Sequence, residues 1–196
     1  MLLEKNIKMN NAKVPTFLKP PQTRFLITGA TGDTGGEAVR LLLQKGYQVR
    51  ALAHREDERS KKLQEIGAEV VFGDLRDLDA MRSALDGIQR AYFVYPINPG
   101  IVQATAGFAQ AAKEAGVEAI VNMSMIPARR NAKSNAAREH WLAEQVLDWS
   151  GVPVVHLRPT FFAEWLLYLA PFIRQGFIAA PWDPSGLAAL VTAEDV

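Results

Sequence analysis

The chain has 196 residues and no cysteine, which excludes disulfides, thiolate nucleophiles and cysteine-ligated metal sites. Histidine is nearly as scarce. The three present, His54, His140 and His156, are scattered without ligand spacing, so no metal site is expected. Net charge is only +1, with 22 basic against 21 acidic side chains. That balance calls for neither nucleic acid nor an anionic membrane surface. Long apolar runs are missing as well. The most apolar segment, residues 161–173, is too short to span a bilayer and contains Glu164 and Pro171, so it reads as a buried or interface helix. With no signal-peptide core and no cysteine, the expected setting is the cytoplasm. One further absence is positional: no lysine follows Lys133, and Tyr168 has Phe172 four residues later.

What the chain does contain is 48% hydrophobic and 22% charged residues, the profile of a soluble globular domain long enough to bury a core. Residues 1–23 stand apart. They are polar, with Lys5, Lys8, Lys13 and Lys19 and with Pro15, Pro20 and Pro21, and are expected to form a mobile leader. Residues 24–196 then make one domain.

The most informative stretch is Arg24-Phe-Leu-Ile-Thr-Gly-Ala-Thr-Gly-Asp-Thr-Gly-Gly36. Phe25, Leu26 and Ile27 predict a short buried strand. Gly29, Gly32 and Gly35 follow, and residues 37–43 then carry apolar side chains at helical spacing. Gly29 lets the chain turn sharply, and Gly32 lacks the Cβ that would hold a pyrophosphate off the backbone. Gly35 lets the helix lie close on the strand, and the helix N-terminus offers free N–H groups to an anion. Thr31, Asp33 and Thr34 belong to the same loop. The spacing is G-x-x-G-x-x-G rather than G-x-G-x-x-G. A strand before it and a helix after it separate a dinucleotide cradle from an ordinary tight turn.

The pattern repeats downstream. Strands are predicted at residues 47–53, 67–72, 90–95, 118–123, 153–157 and 187–191. Helices are predicted at 56–66, 77–85, 102–115 and 136–149, punctuated by Gly87, Gly116 and Gly151. Such alternation predicts an α/β fold, a doubly wound parallel sheet of the Rossmann type, with ligand at the carboxyl ends of the strands.

Six segments together resemble the atypical short-chain dehydrogenases/reductases, and within them the NmrA-like family. They are Thr28-Gly-Ala-Thr-Gly-x-x-Gly35, Val49-Arg-Ala-Leu-Ala-His-Arg55, Gly73-Asp74-Leu75, Asn122-Met-Ser124, Arg138-Glu-His-Trp-Leu-Ala-Glu144 and Leu157-Arg-Pro-Thr-Phe-Phe162. The glycine motif is common to the wider superfamily; the last two segments narrow the resemblance. It implies an NAD(P)H-binding oxidoreductase, with quinone- or azo-like conjugated molecules as the small-molecule substrate class. Relatives also include dinucleotide sensors that regulate a protein partner without catalysis. The family runs on beyond a segment like Val191-Thr-Ala-Glu-Asp-Val196, so the resemblance also implies that this chain is a fragment or a truncated product. The superfamily's Tyr-x-x-x-Lys pair is replaced by His140 and Glu144, which argues against an ordinary alcohol–ketone dehydrogenase.

The second predicted strand ends in Ala53-His54-Arg55, where NAD-specific sites usually place an acid for the ribose 2′-OH. A guanidinium there matches a phosphate. Arg55 therefore points to NADP(H), with Arg50 or Lys61 as helpers, unless it merely solvates the loop. Neighbouring acids, Glu56 to Glu58, leave NAD open. Asp74 either contacts the adenine, as the resemblance implies, or caps the following turn. Tyr95 either borders the nicotinamide-ribose or is plain packing. Ser124 occupies the position of the superfamily's substrate-binding serine. His140 is either a proton donor or a wall residue. Phe161 and Phe162, with Trp165, line a substrate pocket or else simply pack.

Overall fold

The computed structural model describes residues 23–177 and 189–196. The expected leader up to residue 22, together with Leu187 and Ala188 of the expected seventh strand, lies outside the described residues. Six parallel strands form one sheet: β1 (Arg24–Ile27), β2 (Gln48–Ala53), β3 (Glu69–Phe72), β4 (Arg90–Phe93), β5 (Ala119–Met123) and β6 (Val154–Leu157). Their order is β3-β2-β1-β4-β5-β6, the doubly wound arrangement. Between them run α1 (Asp33–Gln44), α2 (Glu58–Glu65), α3 (Leu78–Leu85), α4 (Ile101–Glu114) and α5 (Asn135–Ser150), and α6 (Trp165–Ile173) follows β6.

Alternation along the strands sends side chains to two separate cores. Leu26, Leu52, Phe93 and Ile120 pack against Met81 and Leu85 of α3, Phe108 of α4 and Leu147 of α5. The rings of Phe93 and Phe108 lie 4.4 Å apart at the centre of that layer. Ile27, Val49, Ala51 and Tyr92 instead meet Val39 of α1 and Leu63 of α2. Each fully buried side chain of this size contributes about 1.5–3 kcal/mol.

Local chemistry sets most helix ends. Asp57 accepts from the N–H groups of Arg59 and Ser60, and the Ser60 hydroxyl answers its backbone, a reciprocal cap that starts α2. Asp77 caps α3 and Ser134 caps α5, while Gly151, at φ +79°, ends α5. Two expectations change. Val191 makes only an isolated parallel bridge to Phe162, so the described part of the seventh strand is a single residue pair. In α6 no residue is buried, and Leu167 and Tyr168 are 74% and 69% exposed. Of the two expectations for this segment, a buried helix or an interface helix, the first does not hold within the described residues.

Candidate functional site

Chains leaving β1 and β4 run to opposite sides, which opens a crevice at the carboxyl end of the sheet. Thr28, fully buried, ties its two lips together: its hydroxyl accepts from Val94 N (2.7 Å) and donates to Val94 O (2.9 Å). Gly29 turns at φ +58°, and a Cβ there would lie 3.1 Å from Val94 Cβ. At Gly35 a Cβ would fall 2.3 Å from Gly29 O, so only glycine lets α1 settle against the turn. Gly36 N makes the first helical bond to Gly32 O, and Gly32 caps α1 without a side chain. The N–H groups of Asp33, Thr34 and Gly35 are thus the helix's unpaired first donors, at the positive end of its dipole. Helix therefore begins at Asp33, earlier than the apolar spacing from residue 37 implied. This loop fits a dinucleotide phosphate.

On one side of the loop lies a cavity of about 400 Å³ lined by Gly29, Thr31, His54, Asp74, Arg76 and Tyr95, among others. Asp74 accepts from Arg76 N (2.9 Å) and pairs with the Arg76 guanidinium (2.8 Å). The side-chain bond from Arg76, with the backbone one behind it, holds the Asp74 carboxyl down at about 2. Both readings of Asp74 meet here, since it caps its turn and also faces the cavity. Arg55 is 73% exposed and 3.8 Å from Asp57. Arg50 is not available as its helper. That side chain is buried, donating to Ala84 O and Asp86 O and pairing with Glu69, because a guanidinium on a covered strand must find acceptors inside. Lys61 pairs with Glu58 in solvent. Arg59, which sequence reasoning passed over, lines a hollow with Gly32, Asp33 and Thr34. Its signal was the Asp57-x-x-Ser60 cap, which fixes residue 59 in the first turn of α2 beside the crevice.

On the other side opens a cavity of about 510 Å³, walled by Thr34, Tyr95, Met123, Ser124, His140, Thr160, Phe161, Phe162 and Trp165 with several other apolar side chains. Among the described residues, no acidic side chain, lysine or arginine lines it. The aromatic rings of Phe161 and Trp165 meet edge to face at 4.9 Å. His140 is buried on the inner face of α5, and its Nε2 has no hydrogen-bond partner among the described residues. Burial pushes its imidazole below the usual histidine range, against weaker pull from Glu144 and Glu139. One turn on, Glu144 is 1% exposed. It accepts from Ser124 Oγ (2.5 Å) and from Arg158 Nε (2.8 Å), and its second oxygen meets Arg158 Nη2. Burial works to raise the Glu144 carboxyl, but the Arg158 and Ser124 hydrogen bonds outweigh it and hold the group below the carboxylate range.

The hollow beside the glycine loop and the larger cavity share Thr34, Val94, Pro96, Phe162 and Trp165 as lining, so they adjoin. Together they set Gly29, Thr31, Gly32, Asp33 and Thr34 beside Ser124, His140, Phe161 and Phe162, and Tyr95 lines both the larger cavity and the Asp74 cavity. Sequence reasoning placed Glu144 only as a missing lysine. Its ion pair with Arg158 joins two segments quoted separately in the sequence, and no local pattern could have announced it.

Comparison with known proteins adds the family. The NmrA-like family matches residues 21–196. An NAD(P)H azoreductase of Xenophilus azovorans is 34% identical over 153 residues, 77% of this chain and 52% of its own length. The structure superposes on an NADPH-dependent quinone oxidoreductase of Escherichia coli with a TM-score of 0.75 at 30% identity, covering 87% of this chain and 60% of that one. Triphenylmethane reductase of Citrobacter sp. gives the same TM-score at 24% identity, over 87% of this chain and 61% of that one, and speaks for the fold. The chain spans about half the length of the curated relatives it matches.

Proposed function

This chain belongs to the NmrA-like family, and from that premise we propose that it is an NADP(H)-dependent reductase of small conjugated acceptors, quinone- or azo-like. The observation that carries the reading is that the glycine loop adjoins an aromatic-walled cavity whose described lining carries no acid, lysine or arginine. A ligand on the loop and a flat acceptor in the cavity meet at Thr34 and Phe162. The relatives named for NAD(P)H azoreductase and quinone oxidoreductase activities support the same chemistry.

In this reading the N–H groups of Asp33, Thr34 and Gly35 hold the pyrophosphate, and Gly29, Thr31 and Gly32 keep the backbone close to it. Arg55 and Arg59 take the 2′-phosphate, and Asp74 and Tyr95 border the adenine side. When bound, NADPH supplies a hydride. Phe161 and Phe162 hold the acceptor flat and keep water out. His140, neutral near pH 7, donates a hydrogen bond to the atom that gains charge. A quinone or azo acceptor develops little basicity on taking a hydride, so water completes the protonation and the Tyr–Lys pair of ordinary dehydrogenases is dispensable.

The test is turnover by the purified chain: NADPH oxidation with a naphthoquinone and with an azo dye, beside calorimetric titration of NADPH and NADH. Stoichiometric oxidation of NADPH with either acceptor is the expected result. NADPH binding without turnover of either sinks the reductase reading and favours cofactor sensing through a protein partner.

A further inference from the structure

The hydroxyl groups around the large cavity are not free to donate into it. Glu144, gripped at both oxygens by Arg158, is an ionised carboxylate and can only accept. The single hydrogen of the Ser124 hydroxyl, 2.5 Å from Glu144 Oε1, therefore points away from the cavity. Among the described residues, four hydroxyl side chains line this space: Thr34, Tyr95, Ser124 and Thr160. Tyr95 donates to Pro99 O (3.1 Å) and Thr160 to Ala189 O. Three of the four thus have their only hydrogen committed within the protein. Beside them stands His140, whose buried Nε2 has no hydrogen-bond partner among the described residues.

We propose that this cavity selects conjugated acceptors that themselves carry an N–H or O–H donor, with Ser124 Oγ as the recognising atom and Glu144 as the residue that positions it. The inference rests on the reductase reading and narrows its substrate class. An unsubstituted quinone offers only carbonyl oxygens, which Ser124 cannot serve. An amino- or hydroxy-substituted quinone or azo arene offers the hydrogen that Ser124 lacks.

A matched pair tests it: 2-amino-1,4-naphthoquinone and 2-methyl-1,4-naphthoquinone have nearly the same shape and differ in the donor. Binding of each to the NADP⁺-loaded chain, where no reduction competes, gives dissociation constants, and NADPH-driven turnover gives KM. The amino compound is expected to bind about five- to tenfold more tightly, the value of one hydrogen bond of ordinary strength. Ser124→Ala brings the ratio close to one, and Ser124→Thr restores it. Glu144→Gln, with its fold checked by NADPH binding, also lowers the ratio because the hydroxyl is no longer held. Equal affinity for the two quinones in the native chain overturns the inference while leaving the reductase reading intact. So does a preference unchanged by Ser124→Ala. Failure to bind or reduce either quinone overturns the inference, and failure with the azo dye as well overturns the reductase reading.

Discussion

The two halves of the crevice are built from different materials. At the glycine loop the ligand-facing groups are backbone N–H donors, and the contribution of the side chains is to be absent: a Cβ at Gly35 would fall 2.3 Å from Gly29 O. Around the large cavity the backbone recedes and the chemistry belongs to side chains drawn from β5, α5 and the segment after β6, tied together by Glu144 and Arg158. A backbone site is as rigid as its turn and has few ways to fail. A side-chain site depends on a buried charge that is tolerable only while its partner stays in place.

The largest effect is expected where the backbone half is broken. Gly35→Ala forces the helix off the turn, so NADPH binding should vanish in calorimetry. Denaturant unfolding should show a loss of about 2–3 kcal/mol, as overpacking at a backbone contact costs. Retained affinity within threefold would mean that the loop adapts and the contrast between the halves is false.

The side-chain half breaks at Arg158. Arg158→Met leaves the Glu144 carboxylate buried without its cation, and a loss of about 2–3 kcal/mol is expected. That is less than the ~3–5 kcal/mol typical of a fully buried pair, because the guanidinium is 46% exposed. Adding Glu144→Gln should recover at least half of this loss in a double-mutant cycle; no recovery would mean that Glu144 is not the strained partner. The pH dependence has a definite sign. Glu144 is depressed below its ordinary 4.5, so its stabilisation is complete above about pH 4.5 and is lost as the pH falls through the folded value. The stability difference between the native chain and Glu144→Gln should shrink only below that pH.

Smaller effects refine the cofactor side. Arg59→Ala and Arg55→Ala are each expected to weaken NADPH about tenfold, the value of one charge-assisted hydrogen bond in water's reach, and NADH less than twofold. Equal losses for both cofactors would remove the 2′-phosphate role. The smallest change expected is at His140. Its imidazole is depressed by burial, so the folded state resists protonation. Stability is full above the unfolded value near 6.5 and declines as the pH drops below it, by up to about 1 kcal/mol per pH unit. His140→Gln should flatten unfolding free energy between pH 6.5 and 5.5; an unchanged slope would assign that decline to other groups.

The same contrast explains what could be read in advance. The glycine loop, the strand–helix alternation and the parallel sheet were legible because each is a local pattern with one backbone solution, and the strand order followed from that. Arg59 was legible in principle through the Asp57–Ser60 cap. Arg50 was misjudged because its neighbour in sequence, not its partners across the sheet, suggested its role: Glu69 on β3 and the carbonyls after α3 capture it. The apolar residues 161–173 were read as a buried or an interface helix, and α6 has no buried residue, so the buried reading fails. Composition reports that a helix has an apolar face, and only neighbouring elements decide whether that face is filled.

By itself the sequence determined the fold class, the glycine-rich turn between β1 and α1 and the lack of cysteine, since these rest on residue identity and short-range geometry. Tertiary structure alone decided that Glu144 and Arg158 share a charge and that Ser124 gives its proton to that pair. It also decided that the glycine loop and the aromatic cavity adjoin. Those facts depend on which strand ends are neighbours at the sheet edge, and a carboxylate's burial sets its chemistry only once the fold has chosen its partner.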